Sequence, residues 1–152
     1  IRKSLKKKIK KIIKQGIKIN IIGQKKKLPR DIIKIIQIIE KRTIKNKTIT
    51  LNLALNYGSK EEILNACRKL SLNKFKEINI RNFEKELYTK NVPDPDILIR
   101  TGGTRRLSNF LLWQLAYSEI FFIDKLWPDF NEKDFNTIVK KFYNIKRNFG
   151  KI

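Results

Sequence analysis

The sequence predicts an α/β fold with a mostly parallel central sheet and helices on both faces. Three observations carry that expectation. Short apolar, strand-like runs at 17–22, 48–56, 96–99 and 119–123 alternate with segments whose apolar residues recur at helical spacing. Such alternation builds right-handed βαβ units, and therefore parallel strands. A glycine turn flanked by arginines follows the third run, at the strand end where open parallel sheets bind ligands.

Each element has its own signature. Leu5, Ile9, Ile12 and Ile13 mark one face of a first helix whose other face is lysine, and Gly16 can end it. Ile17 to Ile22 is a strand stopped by Gly23. Pro29 suits the first turn of the next helix, with Asp31 at its positive end and Ile32, Ile35, Ile36 and Ile39 as its buried stripe. Thr48 to Asn56 is a strand rich in Thr, Ile and Leu. Ser59, with Glu62 three residues on, is a capping-box signal for a helix to about Leu70. A helix is expected over Ile80 to Tyr88, and Val92-Pro93-Asp94-Pro95 is a stiff connector. Strand Asp96 to Ile99 follows, then a helix from Ser108 to Tyr117, a strand from Glu119 to Ile123, and a last helix opened by Asn131 with Phe135, Ile138, Val139 and Phe142 in phase.

Composition narrows the function. The 152 residues fit one domain, or a large part of one, and hold no methionine; the opening on Ile1 within a helical pattern reads as a fragment or a mature C-terminal portion. The formal charge of +22 invites a nucleic-acid partner. Lysine, isoleucine and asparagine dominate throughout, however, as in a protein from an AT-rich genome, and no zinc-finger spacing, RNP-like strand or glycine-arginine tract accompanies the lysines. No nucleic-acid partner is expected. The absence of histidine excludes His-based triads and His-ligated metals. Cys67 is the only cysteine, which fits a reducing, cytoplasmic setting; within ILNACRKL it reads as a small buried core residue and not a nucleophile. No apolar stretch approaches the ~20 residues needed to cross a bilayer.

The segment DILIRTGGTRRLSNFLLWQLAYSE (96–119) is the most informative. Its strand delivers Arg100, a Gly102-Gly103 turn follows, then Arg105 and Arg106, and Ser108 opens a helix. Guanidiniums pair bidentately with phosphate oxygens, glycines let backbone amides approach an anion, and a helix start adds donors. A diphosphate site is one reading. A solvated loop whose arginines cap nearby carbonyls is the other.

RTGGTRRLSNFLLWQLAYSEIFF, continuing into LWPDF and RNFG, with LNLALNYGSKEEIL upstream, strongly resembles the cis-prenyltransferase family, nearest to undecaprenyl diphosphate synthases. The resemblance runs from about Ile17 to Gly150 and places residues 1–152 as the C-terminal portion of a single domain. It implies condensation of isopentenyl diphosphate onto an allylic diphosphate of the farnesyl type, with cis geometry. The implied product is a long-chain polyprenyl diphosphate, a carrier lipid for cell-wall synthesis. It further implies Mg²⁺, a homodimer formed through this C-terminal region, and a cytoplasmic protein at the inner membrane surface.

Residue by residue, Arg100, Arg106 and Ser108 match the family positions that grip isopentenyl diphosphate, with Leu107 contributing backbone and Gly102 and Gly103 shaping the loop. Glu119 matches the family carboxylate that helps hold Mg²⁺. Gly150 closes the terminal motif by which the family reaches across the dimer, and Arg147, adjacent to that motif, could substitute for its arginine. Departures accompany these matches: Arg105 stands where some bacterial members carry histidine, Thr104 where many have glutamate, Lys60 where arginine is common, and Asn148 at the arginine of the terminal motif. The family's N-terminal block, with the metal aspartate, a phosphate loop and two tunnel helices, has no counterpart here, so residues 1–152 alone are expected to be inactive.

Other readings remain at this point. Phe110, Trp113, Phe121, Phe122, Trp127 and Phe130 suit core packing and a dimer interface better than a lipid channel. The basic helix at 5–14 could touch an anionic membrane, or be a solvated face. The Thr104 and Asn148 departures leave open a non-catalytic partner subunit, and the charge a basic nucleic-acid-binding module.

Overall fold

The computed structural model describes residues 13–72 and 77–147. The predicted helix at 5–13 therefore lies almost wholly outside the described residues, as do Asn148 and Gly150. The chain divides into two compact units, Ile1–Lys90 and Asn91–Ile152. Each holds one pair of parallel strands among its described residues, which bears out the parallel α/β expectation. Hydrogen bonding joins the strands as two pairs.

In the first unit, β1 (Ile17–Ile22) runs parallel to β2 (Ile49–Ala54), with Ile17 opposite Ile49 and Ile22 opposite Ala54. Helix α1 (Arg30–Thr43) packs on β1 and starts one residue later than expected, with Pro29 as its N-cap and not in its first turn. Ile19, Ile21, Ile36 and Ile39 form the core between them, with Ile32 and Ile35 against it. α1 also closes the free edge of β1. The Ile19 N–H donates to the Thr43 hydroxyl at 3.1 Å, and the Ile21 N–H to Glu40 Oε1 at 2.8 Å. Asn46 Nδ2 donates to the Ile17 carbonyl at 2.9 Å. Unpaired strand edges invite association, and polar side chains of α1 and of the segment just after it occupy this one.

Helix α2 (Ser59–Leu72) follows β2. Its buried residues Glu62, Ala66 and Leu70 fall four apart on one face. That phase corrects the expectation for Cys67: it sits one step past Ala66 and is exposed. Glu62 acts beyond its own helix. Its carboxylate accepts from the Tyr57 hydroxyl at 2.5 Å and from the Tyr88 N–H at 2.7 Å. Helix α3 is shorter than expected, Ile80–Glu84, with Asn79 capping it by accepting from the Asn82 N–H.

In the second unit, β3 (Ile97–Arg100) runs parallel to β4 (Glu119–Phe122). Helix α4 (Glu132–Tyr143) opens at Asn131 as expected. Asn131 accepts from the Lys133 and Asp134 amides, and Asp134 accepts in return from the Asn131 N–H. Of its apolar stripe, Ile138 is fully buried and Phe135 is 47% exposed. No helix among the described residues is long and apolar enough to cross a membrane.

Candidate functional site

β3 ends on Arg100, opposite Phe122. Beyond that end the two segments stay tied. The Ile123 N–H donates to the Arg100 carbonyl at 2.8 Å, the Gly102 N–H to the Lys125 carbonyl at 2.8 Å, and the Gly103 N–H to the Ile123 carbonyl at 3.1 Å. Gly102 and Gly103 have φ of +88° and +67°, the left-handed region that disfavours any side chain. A Cβ on Gly102 would meet nothing within 4 Å, so its conformation and not crowding demands glycine there.

These bonds correct one expectation. The glycine amides do not face outward toward an anion; both are spent on carbonyls of the neighbouring segment. The glycines shape the loop, and any grip on an anion falls to side chains.

Those side chains are available. Arg100 and Leu107 are half-buried, and Arg105, Arg106 and Ser108 are exposed. Among the described residues no ion pair or hydrogen bond engages the guanidinium of Arg100, Arg105 or Arg106. Asp124 lies close to the turn, with Oδ1 3.8 Å from where a Gly103 Cβ would stand. Three guanidiniums on one short loop, none neutralised by a described carboxylate, leave a positive field that an anion can fill.

The helix expected from Ser108 to Tyr117 does not form; turns occupy 108–117. The cause is backbone geometry. Ser108, Asn109 and Leu111 have φ of +50°, +61° and +44°, which breaks the i to i−4 ladder before it starts. The Phe110 N–H reaches the Leu107 carbonyl three residues back at 3.0 Å, and the Leu115 N–H reaches Leu111 four back at 3.0 Å. Ser108 therefore sits at no helix start and receives no helix-dipole contribution. In its place stand three left-handed non-glycine residues, each costing ~1–2 kcal/mol. Strain of this kind persists where surrounding structure fixes it, and it concentrates at ligand-binding loops.

Glu119 opens β4 opposite Ile97. Arg100 stands three register steps further along, ~10 Å up the strand pair. The nearest cation to Glu119 in the ion-pair network is Arg147, whose Nε lies 3.9 Å from Glu119 Oε1. Arg147 is deeply engaged within its own unit. Nη1 donates to Asp96 Oδ1 at 2.6 Å, Nη2 to the Tyr117 carbonyl at 3.0 Å, and the guanidinium carbon sits 5.3 Å from the centre of the Phe142 ring. Asp96 carried no functional reading in the sequence. An acidic residue entering a strand is common, and its partner lies 51 residues away.

Mg²⁺ prefers about six oxygen ligands and keeps several as water or phosphate. No group of three or more His, Cys, Asp or Glu side chains that could hold a metal forms among the described residues. An all-protein cage is therefore not built here. Any metal role for Glu119 would be the lesser one of a single carboxylate beside phosphate oxygens and water.

Comparison with known proteins adds the context. The prenyltransferase family model of undecaprenyl diphosphate synthases matches residues 1–150. An isoprenyl transferase of Aquifex pyrophilus is 40% identical over 152 residues, covering 100% of this chain and 66% of the relative. A tritrans,polycis-undecaprenyl-diphosphate synthase (geranylgeranyl-diphosphate specific) of Pyrococcus horikoshii is 39% identical, covering 93% of this chain and 56% of the relative. Among solved structures, a probable undecaprenyl diphosphate synthase of Campylobacter jejuni superposes with a TM-score of 0.88 at 33% identity, covering 99% of this chain and 71% of the other. Lavandulyl diphosphate synthase from Lavandula x intermedia, solved with dimethylallyl diphosphate, gives 0.89 at 35% identity, covering 94% and 65%. The chain spans about three-fifths of the length of the curated relatives it matches.

Proposed function

This chain belongs to the prenyltransferase family of undecaprenyl diphosphate synthases, and on that premise we propose that it takes part in condensing isopentenyl diphosphate onto an allylic diphosphate with cis geometry. In that reaction the allylic C–O bond ionises, the isopentenyl double bond attacks the resulting cation, and a proton leaves. The new C–C bond lengthens the chain by one isoprene unit, and the inorganic diphosphate split from the allylic substrate departs. Little covalent work falls to side chains, so positioning and charge dominate.

The observation that carries the proposal is the charge state of the loop after β3: Arg100, Arg105 and Arg106 engage no described carboxylate. Arg100 and Arg106 would fork onto the diphosphate of isopentenyl diphosphate, with the Ser108 hydroxyl and the Leu107 backbone completing the grip. Mg²⁺, when bound, would neutralise diphosphate charge, with Glu119 as one ligand. The family likeness extends the proposal to a long polyprenyl diphosphate product serving cell-wall synthesis, made at the cytoplasmic side of the membrane. Exposed Tyr117, Trp127 and Tyr143, at 66%, 73% and 79%, support a homodimer.

The chain spans about three-fifths of the length of the curated relatives it matches, and we propose that residues 1–152 bind isopentenyl diphosphate without turning it over unaided. Calorimetric titration should show saturable binding of isopentenyl diphosphate, and a radiolabel incorporation assay with farnesyl diphosphate should show no product. Absence of binding would overturn the grip. Measurable turnover would overturn the division of labour.

A further inference from the structure

Helix α1 (Arg30–Thr43) has a second face that the diphosphate reading leaves unused. Ile32, Ile35, Ile36 and Ile39 turn toward the core. At ~100° per residue, Arg30, Lys34 and Lys41 fall within about 40° of one another on the opposite side, with Gln37 among them. All four are exposed. Lys26 and Lys27 precede the helix, and Lys45 and Lys47 follow it, exposed as well. None of these cations is in an ion pair or hydrogen bond with a described residue.

The helix's two carboxylates sit off this stripe, Asp31 and Glu40 each ~80–100° to one side. Glu40 is committed besides, accepting from Lys25 Nζ at 2.6 Å and from the Ile21 N–H at 2.8 Å. Ile38 and Ile44 border the stripe on its two sides and are 50% and 64% exposed. A line of cations edged by exposed isoleucines is charge-complementary to one surface in particular.

We infer that this face of α1 docks on an anionic lipid surface. Clusters of four to eight Lys or Arg on an amphipathic helix attract acidic headgroups, each within about a Debye length of the surface. The cations hold the headgroups, and Ile38 and Ile44 enter the interfacial layer. A nucleic-acid backbone would engage the cations and leave both isoleucines in water, so the lipid surface uses more of what the helix offers. The assignment sharpens the membrane-side setting proposed above by naming a surface, and it does not depend on the arginine loop.

Co-sedimentation with phosphatidylcholine vesicles, with and without phosphatidylglycerol, tests it. The protein should bind only the anionic vesicles, more weakly as salt rises. Lys34→Glu/Lys41→Glu should lower partitioning by about tenfold or more, and Lys34→Gln/Lys41→Gln by less. Lys133→Glu/Lys140→Glu on α4 changes net charge equally and should leave partitioning within about twofold. Circular dichroism checks folding; should the Glu pair unfold, the Gln pair carries the test. Equal losses from the α1 and α4 pairs would overturn the assignment. So would failure to bind anionic vesicles, or duplex-DNA binding through Lys34 and Lys41 without vesicle binding. Titration of isopentenyl diphosphate into the same variants should be unchanged, which separates this inference from the diphosphate reading.

Discussion

The two parallel strand pairs end in similar turns and differ in what those turns leave exposed. After β1, Gly23 has φ +116°, the Leu55 N–H bonds the Ile22 carbonyl, and the Gln24 N–H bonds the Asn56 carbonyl. After β3, Gly102 and Gly103 adopt positive φ and their amides bond carbonyls beyond β4. The backbone solution is shared: a left-handed glycine lets the chain leave the strand while the neighbouring segment keeps its hydrogen bonds. Side-chain charge separates them. Near the first turn the cations are lysines, of which Lys25 is paired with Glu40 at 2.6 Å and Lys26 and Lys27 are exposed point charges, whereas the second turn carries three guanidinium forks, Arg100, Arg105 and Arg106, with no described carboxylate on them. Glycine signals therefore mark both turns, and what distinguishes the second is the type of cation, since a planar guanidinium can pair bidentately with phosphate and an ammonium cannot.

Removing the charge should have the largest effect. Arg106→Ala should weaken isopentenyl diphosphate binding by about tenfold or more, since a hydrogen bond to a charged group contributes ~1.5–3 kcal/mol. Its melting temperature should hardly move, because that guanidinium supports no described partner. A large loss of stability with unchanged affinity would erase the contrast between the two turns.

The glycines should separate by crowding. A Cβ on Gly23 would stand 2.2 Å from the Leu55 carbonyl oxygen, on backbone that cannot swing aside. Gly23→Ala should cost at least about 3 kcal/mol in denaturant unfolding. Gly102→Ala meets only its φ penalty, ~1–2 kcal/mol. Equal costs would mean the first turn is no tighter than the second.

Two smaller effects refine the picture. Leu111→Gly should raise stability by up to about 1 kcal/mol by releasing a left-handed leucine beside the arginine loop. A loss would show that its side chain matters more than its strain. Asp134 is held below the usual carboxylate range by its hydrogen bond from Lys125, then by the Asn131 amide. A lowered folded value means its contribution is present above the ordinary carboxylate pKa and lost as pH falls through the lowered one. The difference in melting temperature between the protein and Asp134→Asn should therefore shrink as the medium is acidified.

Much of the fold was readable from local pattern. The isoleucine stripe of α1 works because period and burial coincide there, and Asn131 works because a cap is a short-range device. Around the site the local pattern misled. FLLWQLAY has helical phase, yet positive φ at Ser108, Asn109 and Leu111 overrides it, and apart from Asn109 none of these residue types signals a left-handed backbone. Cys67 was misplaced by one helical step. The pairing of Arg147 with Asp96, and of Thr43 and Glu40 with the β1 edge, spans 19 to 51 residues; no periodicity reports contacts of that range. Which arginine is structural and which is free could be settled only by coordinates.

Comparing inorganic pyrophosphate with orthophosphate on the protein and on Arg100→Ala/Arg106→Ala puts the loop's role most directly to the test. By calorimetry the unaltered protein should prefer pyrophosphate by about tenfold or more, since two forks can share one diphosphate, and the double variant should lose most of that preference. An undiminished preference in the double variant would show that the diphosphate is held elsewhere.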